Sequence, residues 1–482
     1  MQRELISRRQ NWLLLALFMA LSLVIGAMLV FQPMLAWFLV AGLISTSVLL
    51  FPPYLVACSA VVFAVFSRLP VAWGIAPGFI NFLHFPLAVA SFLLALLAPH
   101  KGPKLTRLAL GVRVLGVLSI LSWIANGGDW LKPVLSWLLF SEPFLILYAV
   151  VKTAPRSKIH ALSKLALGLA FLQIPFAFWQ AATLGLGDVV QGTLVGQGAG
   201  AHVIGAITLM GVMALSSAML FRKVVSRSLS HLLTRIVIIA MLFAVPVLSD
   251  AKQAIIAFIP GFALLLWSYR RLSARLLFVG SAVAAFVVAA GYLYTPLRQA
   301  TNVDVVMTGL GGKGLSYQIV AQKMAEFPPT FLTGLGPGNS VSRTALAAQE
   351  GYIRSLPGGW VDLTLSPITA EILSTTAGFY LFASSSVWSG VSSWLGLFGD
   401  LGLLGVAAYL WLLWVVWQAL GRRFTSWAYA GRAVLVAGVI LGAVFSWLET
   451  PEFTLPWALY MSIGLISNED AAASQSVSTP RR

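Results

Sequence analysis

The chain has 482 residues, of which 59% are hydrophobic and only 10% charged, with a mean hydropathy of +0.89. Soluble domains carry about a quarter charged residues, so that class is excluded; apolar runs of roughly 20 residues, enough to cross a ~30 Å hydrocarbon layer, recur along the chain, and no period-two alternation suggests a membrane β-barrel. The net charge of +16 does not indicate nucleic acid, because the basic residues sit in short clusters between apolar runs, where membrane topology places them.

Taken in order, MQRELISRRQ carries Arg3, Arg8 and Arg9 ahead of an apolar run from Trp12 to Val30. That run is too long for a signal-peptide core and lacks a small-residue cleavage site, so it reads as a retained first span. Further spans are expected at 34–51, 54–67, 79–98, 106–125, 132–151 and 160–184, then at 203–221, 233–248, 253–269 and 275–294. After a long interruption come 395–419, 433–448 and 454–467. The expected fold is an all-α polytopic membrane protein with about fourteen transmembrane helices. It divides into an N-terminal bundle (1–294), an external region containing short helices (295–394), C-terminal spans (395–468) and a small, polar, disordered tail (469–482). The single cysteine, Cys58, lies inside an apolar run and offers neither a disulfide frame nor a CxxC metal signature.

Charge orients the chain. Arg3, Arg8 and Arg9, then Lys101, Lys104 and Arg107, then Lys152, Arg156, Lys158 and Lys164 fall on one side, and the clusters at 222–235, 270–275, 422–432 and 481–482 continue the series. The short segments of the other side hold Arg68, Lys132 and Lys252. The positive-inside rule then puts both termini in the cytoplasm and Thr295–Trp394 outside. Two charges fall within spans, Arg113 and Glu142, and the expensive burial of each suggests that they pair across adjacent helices.

Candidate chemistry gathers on the external side. GTLVGQGAGAHVIG (Gly192–Gly205) is a glycine-rich loop ending in His202 at the mouth of a span, and LSDAKQA (Leu248–Ala254) sets Lys252 in a tight turn. The external region adds Arg298, Lys313, Lys323, Arg343 and Arg354. Cations converging there suit a diphosphate, to whose oxygens Lys and Arg offer both charge and hydrogen-bond donors. Blander roles stand beside these: a snorkelling Lys252, a helix-end His202, a solvated Lys323–Glu326 pair on a helix from Leu315 to Ala325, and loop-solvating Arg343 and Arg354. GGKG (Gly311–Gly314) is not a phosphate-binding P-loop, since glycine follows Lys313 where Ser or Thr is needed. There is no HExxH, no GxSxG and no histidine after His231, so a histidine base from the external region is ruled out.

Four segments together resemble the bacterial O-antigen ligase and O-antigen polymerase superfamily. GQGAGAHVIGAITLMG (Gly196–Gly211) is similar to its glycine, histidine and glycine pattern opening a span, and LSDAKQAIIAFIPG (Leu248–Gly261) to its Ser-Arg-Gly-Ala-like turn, with Lys252 at the arginine position. KGLSYQIVAQKMAEFPPTFLTGLGPGNS (Lys313–Ser340) resembles its arginine and aromatic helix followed by Gly-x-Gly-x-Gly, which here includes Gly336 and Gly338. WLGLFGDLGLLGVAAYL (Trp394–Leu410) resembles the helix that leaves the loop, with Asp400 ahead of GLLG. Two departures stand out: lysine replaces arginine at 252 and 313, and Val391 and Ser392 occupy the place of a histidine-asparagine pair, which favours a polymerase or a divergent branch over a ligase of the usual kind.

The resemblance implies a fold like that of GT-C glycosyltransferases. It implies metal-independent glycan transfer without a cofactor, on the outer face of a bacterial plasma membrane, from a polyprenyl-diphosphate-linked oligosaccharide donor to a glycan acceptor, with a chain-length regulator as a possible partner. On that reading Lys252 and Lys313 clamp the diphosphate, Asp250 or Asp400 serves as base with Asp362 and Glu371 as alternatives, and His202, Arg298, Lys323, Arg343, Arg354, Gly336 and Gly338 bind substrate. Transfer to a lipid or protein acceptor, transport of lipid-linked oligosaccharides by a flippase, and a scaffold role are the competing expectations.

Overall fold

In a computed structural model, residues 50–99, 103–196, 199–221, 229–268, 303–349, 363–376, 391–421 and 425–478 are described. The expected spans at 12–30 and 275–294, almost all of 34–51, and Arg298, Arg354 and Asp362 lie outside them. Every regular element among the described residues is a helix. In chain order these are α1 (Pro53–Phe66), α2 (Arg68–Ala72), α3 (His84–Leu97), α4 (Pro103–Asn126), α5 (Leu131–Thr153), α6 (Ile159–Leu184), α7 (Gly200–Phe221), α8 (Leu229–Leu248) and α9 (Lys252–Ser268). After them come α10 (Val303–Glu326), α11 (Thr330–Thr333), α12 (Arg343–Gln349), α13 (Pro367–Thr376), α14 (Ser393–Leu420), α15 (Ser426–Val444) and α16 (Pro451–Ser478).

Eight helical stretches among the described residues are long and apolar enough to cross a membrane: Pro53–Ala72, Gly78–Leu97, Thr106–Asn126, Leu131–Thr153, Arg156–Leu184, Gly200–Leu220, Ser393–Leu420 and Ser426–Val444. Leu233–Leu248 and Lys252–Trp267 are shorter apolar helices. The expected total of fourteen therefore stands at eight here. Two expectations are corrected. The helix expected at Leu315–Ala325 extends from Val303 to Glu326, and helical backbone runs to Ser478, into the segment read as a disordered tail.

The core of the bundle is formed where α5 and α16 meet. Phe453, Leu455, Trp457, Tyr460 and Met461 of α16 are fully buried, as are Phe144, Leu145 and Ile146 of α5. Because α16 is wrapped by protein, it tolerates Ser462 and Thr454, whose hydroxyls would be costly facing lipid. Ser462 donates back to Ala458 O at 2.8 Å, and Trp457 Nε1 donates to Val434 O of α15 at 2.8 Å.

Local signals set the helix ends. Pro53 stands in the first turn of α1, where its missing N–H costs nothing. Ser392 and Thr425 cap α14 and α15, their hydroxyls accepting from the N–H groups of Leu395 and Ala428. One break matters for function. Inside α14, Gly402 has φ 66°, and the helix axis kinks there. A Cβ at Gly402 would collide with the Leu332 carbonyl of α11, and one at Gly334 with the Asp400 carbonyl, so α11 and its following turn are seated in the break.

Candidate substrate site at the loop end of the bundle

The described stretches 303–349 and 363–376 sit on one end of the bundle, and the turn after α11 ties the first of them there. Asp400 of α14 is fully buried and accepts from Gly338 N at 2.7 Å, Ser340 N at 3.2 Å and Ser340 Oγ at 2.6 Å. Leu335 N donates to Gly399 O at 2.7 Å, and Ser122 Oγ of α4 to Asp400 O at 2.7 Å. Lys132 of α5, buried, donates to Asn339 Oδ1 at 3.2 Å. Gly336 and Gly338 take the left-handed conformations of this turn, with φ 102° and 68°. The glycine segment thus folds around a carboxylate, and Asp400 is a structural anchor with its lone pairs engaged.

The tied turn delivers α12, whose first residue is Arg343. Its backbone N–H donates to Glu449 Oε2 at 2.6 Å, and its side chain lines a cavity of about 270 Å³. The same cavity is lined by Arg68 at the start of α2, His84 at the start of α3 and Glu452 in the first turn of α16. Its remaining walls are apolar, among them Phe82, Phe85, Leu135 and Leu139. Val134, also on its lining, is 44% exposed on the side of α5, which places the cavity at the flank of the bundle.

Charges here are paired across distant parts of the chain. Arg68 Nε contacts Glu452 Oε1 at 2.8 Å. His84 Nδ1 lies 2.7 Å from Oε1 of Glu142, which is fully buried in α5. Glu449 is fully buried between α15 and α16; burial holds its carboxyl well above the usual carboxylate range, opposed by the Arg343 N–H it accepts. The second oxygen of Glu142, Oε1 of Glu449 and Oε2 of Glu452 have no protein partner among the described residues. A pocket that sets two guanidinium groups, one of them paired with Glu452, among apolar walls offers planar donors to a small anionic head attached to an apolar body.

The residues singled out from the sequence divide into separate places. Lys252 Nζ contacts Asp250 Oδ2 at 2.9 Å across a turn in which Asp250 has φ 51°, a left-handed conformation that Asp tolerates better than most residues. His202, buried at the start of α7, points Nε2 toward Asp188 Oδ1 at 3.4 Å. Burial raises the Asp188 carboxyl, Asp250 adds to that rise, and Lys252 opposes it, so the four residues form one electrostatic cluster.

Lys313 stands apart from that cluster. Its Nζ donates to Val391 O at 2.8 Å and to the carbonyl of Val444, the last residue of α15. The residue is half-buried, yet its amine is turned inward, and loss of hydration pushes it down to about 7. α9 and α15 run antiparallel, since Gly261 packs on Ala433 while Leu265 meets Tyr429 near the start of α15. Lys252 and Lys313 therefore lie at the same end of the bundle, held by different partners. Lys313 thus caps the C-terminal carbonyl of α15 and ties it to the backbone just before α14.

Lys323 stays on the surface, 3.1 Å from Glu326 and 3.8 Å from Glu371 of α13, as the solvated-pair reading anticipates. The expected Arg113–Glu142 pair does not form. Arg113 is on the exposed face of α4, and Glu142 instead pairs with His84.

His84, Glu449 and Glu452 escaped sequence reasoning, and Arg68 was read only for topology. The available signal was weak but physical: each is an ionisable residue within a turn or two of a span end on the side assigned to the long loop. The chain matches no protein-family model and no curated protein sequence.

Proposed function

We propose that the chain transfers glycans at a membrane surface, polymerising oligosaccharide units from a polyprenyl-diphosphate-linked donor onto a glycan acceptor. A ligase, moving the same glycan to a lipid or protein acceptor, is this chemistry with a different nucleophile. The observation that carries the reading is the placement of Arg68 and Arg343 in one apolar-walled cavity at the flank of the bundle. Arginine presents planar, bidentate donors to phosphate oxygens. A diphosphate becomes a good leaving group once its developing charge is matched by prearranged donors. The apolar flank suits a prenyl chain arriving from the lipid layer. This moves the diphosphate contact from Lys252 and Lys313 to the two arginines, with the Asp188–His202–Asp250–Lys252 cluster as a second polar group at the same end.

The test uses the purified full chain in nanodiscs with undecaprenyl-diphosphate-linked oligosaccharide and an acceptor glycan, read as product length on a gel. Lengthening that falls at least tenfold in Arg343→Gln and in Arg68→Gln/Glu452→Gln, which removes the ion pair as a whole, with unfolding temperatures near wild type, supports the proposal, and wild-type rates in both variants end it. A second reading, an ion-coupled transporter of lipid-linked oligosaccharide, draws on the buried His84–Glu142 pair. It predicts movement of unmodified donor across a vesicle with no lengthening.

A further inference from the structure

The cavity holds one more element than anion binding needs. His84 stands at the start of α3, 5% exposed, with Nδ1 held at 2.7 Å by Oε1 of Glu142. Glu142 is fully buried one helix away on α5, directly before Pro143. The His84 ring packs on Phe85 with centroids 4.2 Å apart, a contact that limits its rotation. With Nδ1 engaged by a carboxylate, the proton of the neutral ring sits on Nδ1, and the basic lone pair is on Nε2. His84 lines the cavity that also receives Arg68 and Arg343. The only described bonding partner of its ring is Glu142.

We propose that His84 is the general base of this site and Glu142 its positioning residue, the substrate being an acceptor sugar hydroxyl. This rests on the glycan-transfer reading above. In the step, Nε2 takes the hydroxyl proton as the acceptor oxygen forms a bond to the anomeric carbon of the donor. The bond from that carbon to the diphosphate oxygen breaks, and its electron pair leaves with the diphosphate, whose charge Arg68 and Arg343 face. The proton on Nε2 then passes to solvent or to the departing diphosphate, restoring the neutral ring. Glu142 fixes the tautomer and stabilises the imidazolium while it exists, the division of labour of a carboxylate-imidazole pair. The base thus comes from the start of a membrane helix, although the external segment has no histidine to offer.

The experiment measures two quantities on the purified full chain in nanodiscs: binding of undecaprenyl diphosphate, by quenching of intrinsic tryptophan fluorescence, and rate of glycan lengthening. In His84→Ala, binding is expected to stay within twofold of wild type while lengthening falls 100-fold or more, in line with a typical general-base contribution of about 10²–10⁴. Added imidazole restores part of the rate. Glu142→Gln lowers kcat about tenfold with KM unchanged, and loses nothing further when combined with His84→Ala. If His84→Ala is poorly folded, His84→Asn, which keeps a polar side chain of similar reach, replaces it. Lengthening at the wild-type rate in a folded His84 variant overturns the base and leaves the transfer reading intact. A wild-type protein that neither binds the diphosphate nor lengthens glycan removes the transfer reading, and the base with it.

Discussion

Arg68 and Glu452 are 384 positions apart, yet their side chains meet at 2.8 Å, joining the start of α2 to the first turn of α16. Arg68 is 12% exposed and Glu452 7%, so neither charge is well hydrated. Removing one partner of such a pair strands the other, at a cost of roughly 3–5 kcal/mol, whereas removing both costs much less. Arg68→Ala should therefore lower the unfolding temperature in detergent far more than Arg68→Ala/Glu452→Leu. A double variant as unstable as the single would show that the pair does not hold these two helices together.

Asp400 should behave as an anchor. Asp400→Ala leaves the N–H groups of Gly338 and Ser340 without their acceptor, at about 1–3 kcal/mol for each buried unpaired donor. Hydrogen exchange at residues 336–342 should accelerate at least tenfold while exchange in α5 and α16 is unchanged. If Asp400 were instead the reacting base, the variant would lose activity with normal exchange in that turn.

The two glycines at the α14 break should resist substitution unequally to their neighbours. Gly402→Ala and Gly334→Ala each force a side chain onto a positive-φ, extended-ψ backbone that is essentially glycine-only, about 1–3 kcal/mol, and add a backbone collision with Leu332 or Asp400. Both should lose several degrees of thermal stability, while Gly314→Ala, which meets open space on α10, should be neutral or slightly stabilising. Scanning fluorimetry on the three variants decides this.

Lys313 predicts a pH dependence. Its folded-state pKa of about 7 lies below the ordinary lysine value of 10.5, so from about 7 to about 10.5 the unfolded chain holds a proton that the folded chain does not. Stability from this group therefore rises with pH across that window, and below about 7 the burial cost is present in full. Glu449 works the other way, since a raised carboxyl makes the folded state bind the extra proton and its contribution falls as pH climbs. Comparing wild type with Lys313→Met isolates the lysine: the gap in unfolding temperature should change in favour of wild type between pH 7 and 10. A gap independent of pH would mean that the amine is charged and hydrated.

Most of the helical frame was legible in the sequence because long apolar runs have one cheap solution in lipid. The starts of α3, α5, α6 and α7 fall within a few residues of their expected places. What failed was partnering. Adjacent runs suggest an Arg113–Glu142 pair, but Arg113 lies on the exposed face of α4 while Glu142 is buried against His84. Lys313 reads from the sequence as a clamp on the diphosphate, and nothing in the pattern GGKG reveals that its amine turns inward to Val391 and Val444. Linear spacing carries the period of a helix but not which residues from other helices come to lie against it. The site at Arg68, Glu452 and Arg343 joins residues from three widely separated stretches, and that is the kind of proximity only folding supplies.

The notch in α14 constrains how the molecule moves. With α11 lodged in it and Asp400 gripping the turn that follows, the cap over this end is bolted at its middle and has no pivot there on which to swing as a door. On the glycan-transfer proposal, a donor would then reach the arginines sideways, through the apolar flank beside Val134, and a cross-link freezing α11 against α14 should leave the lengthening rate untouched.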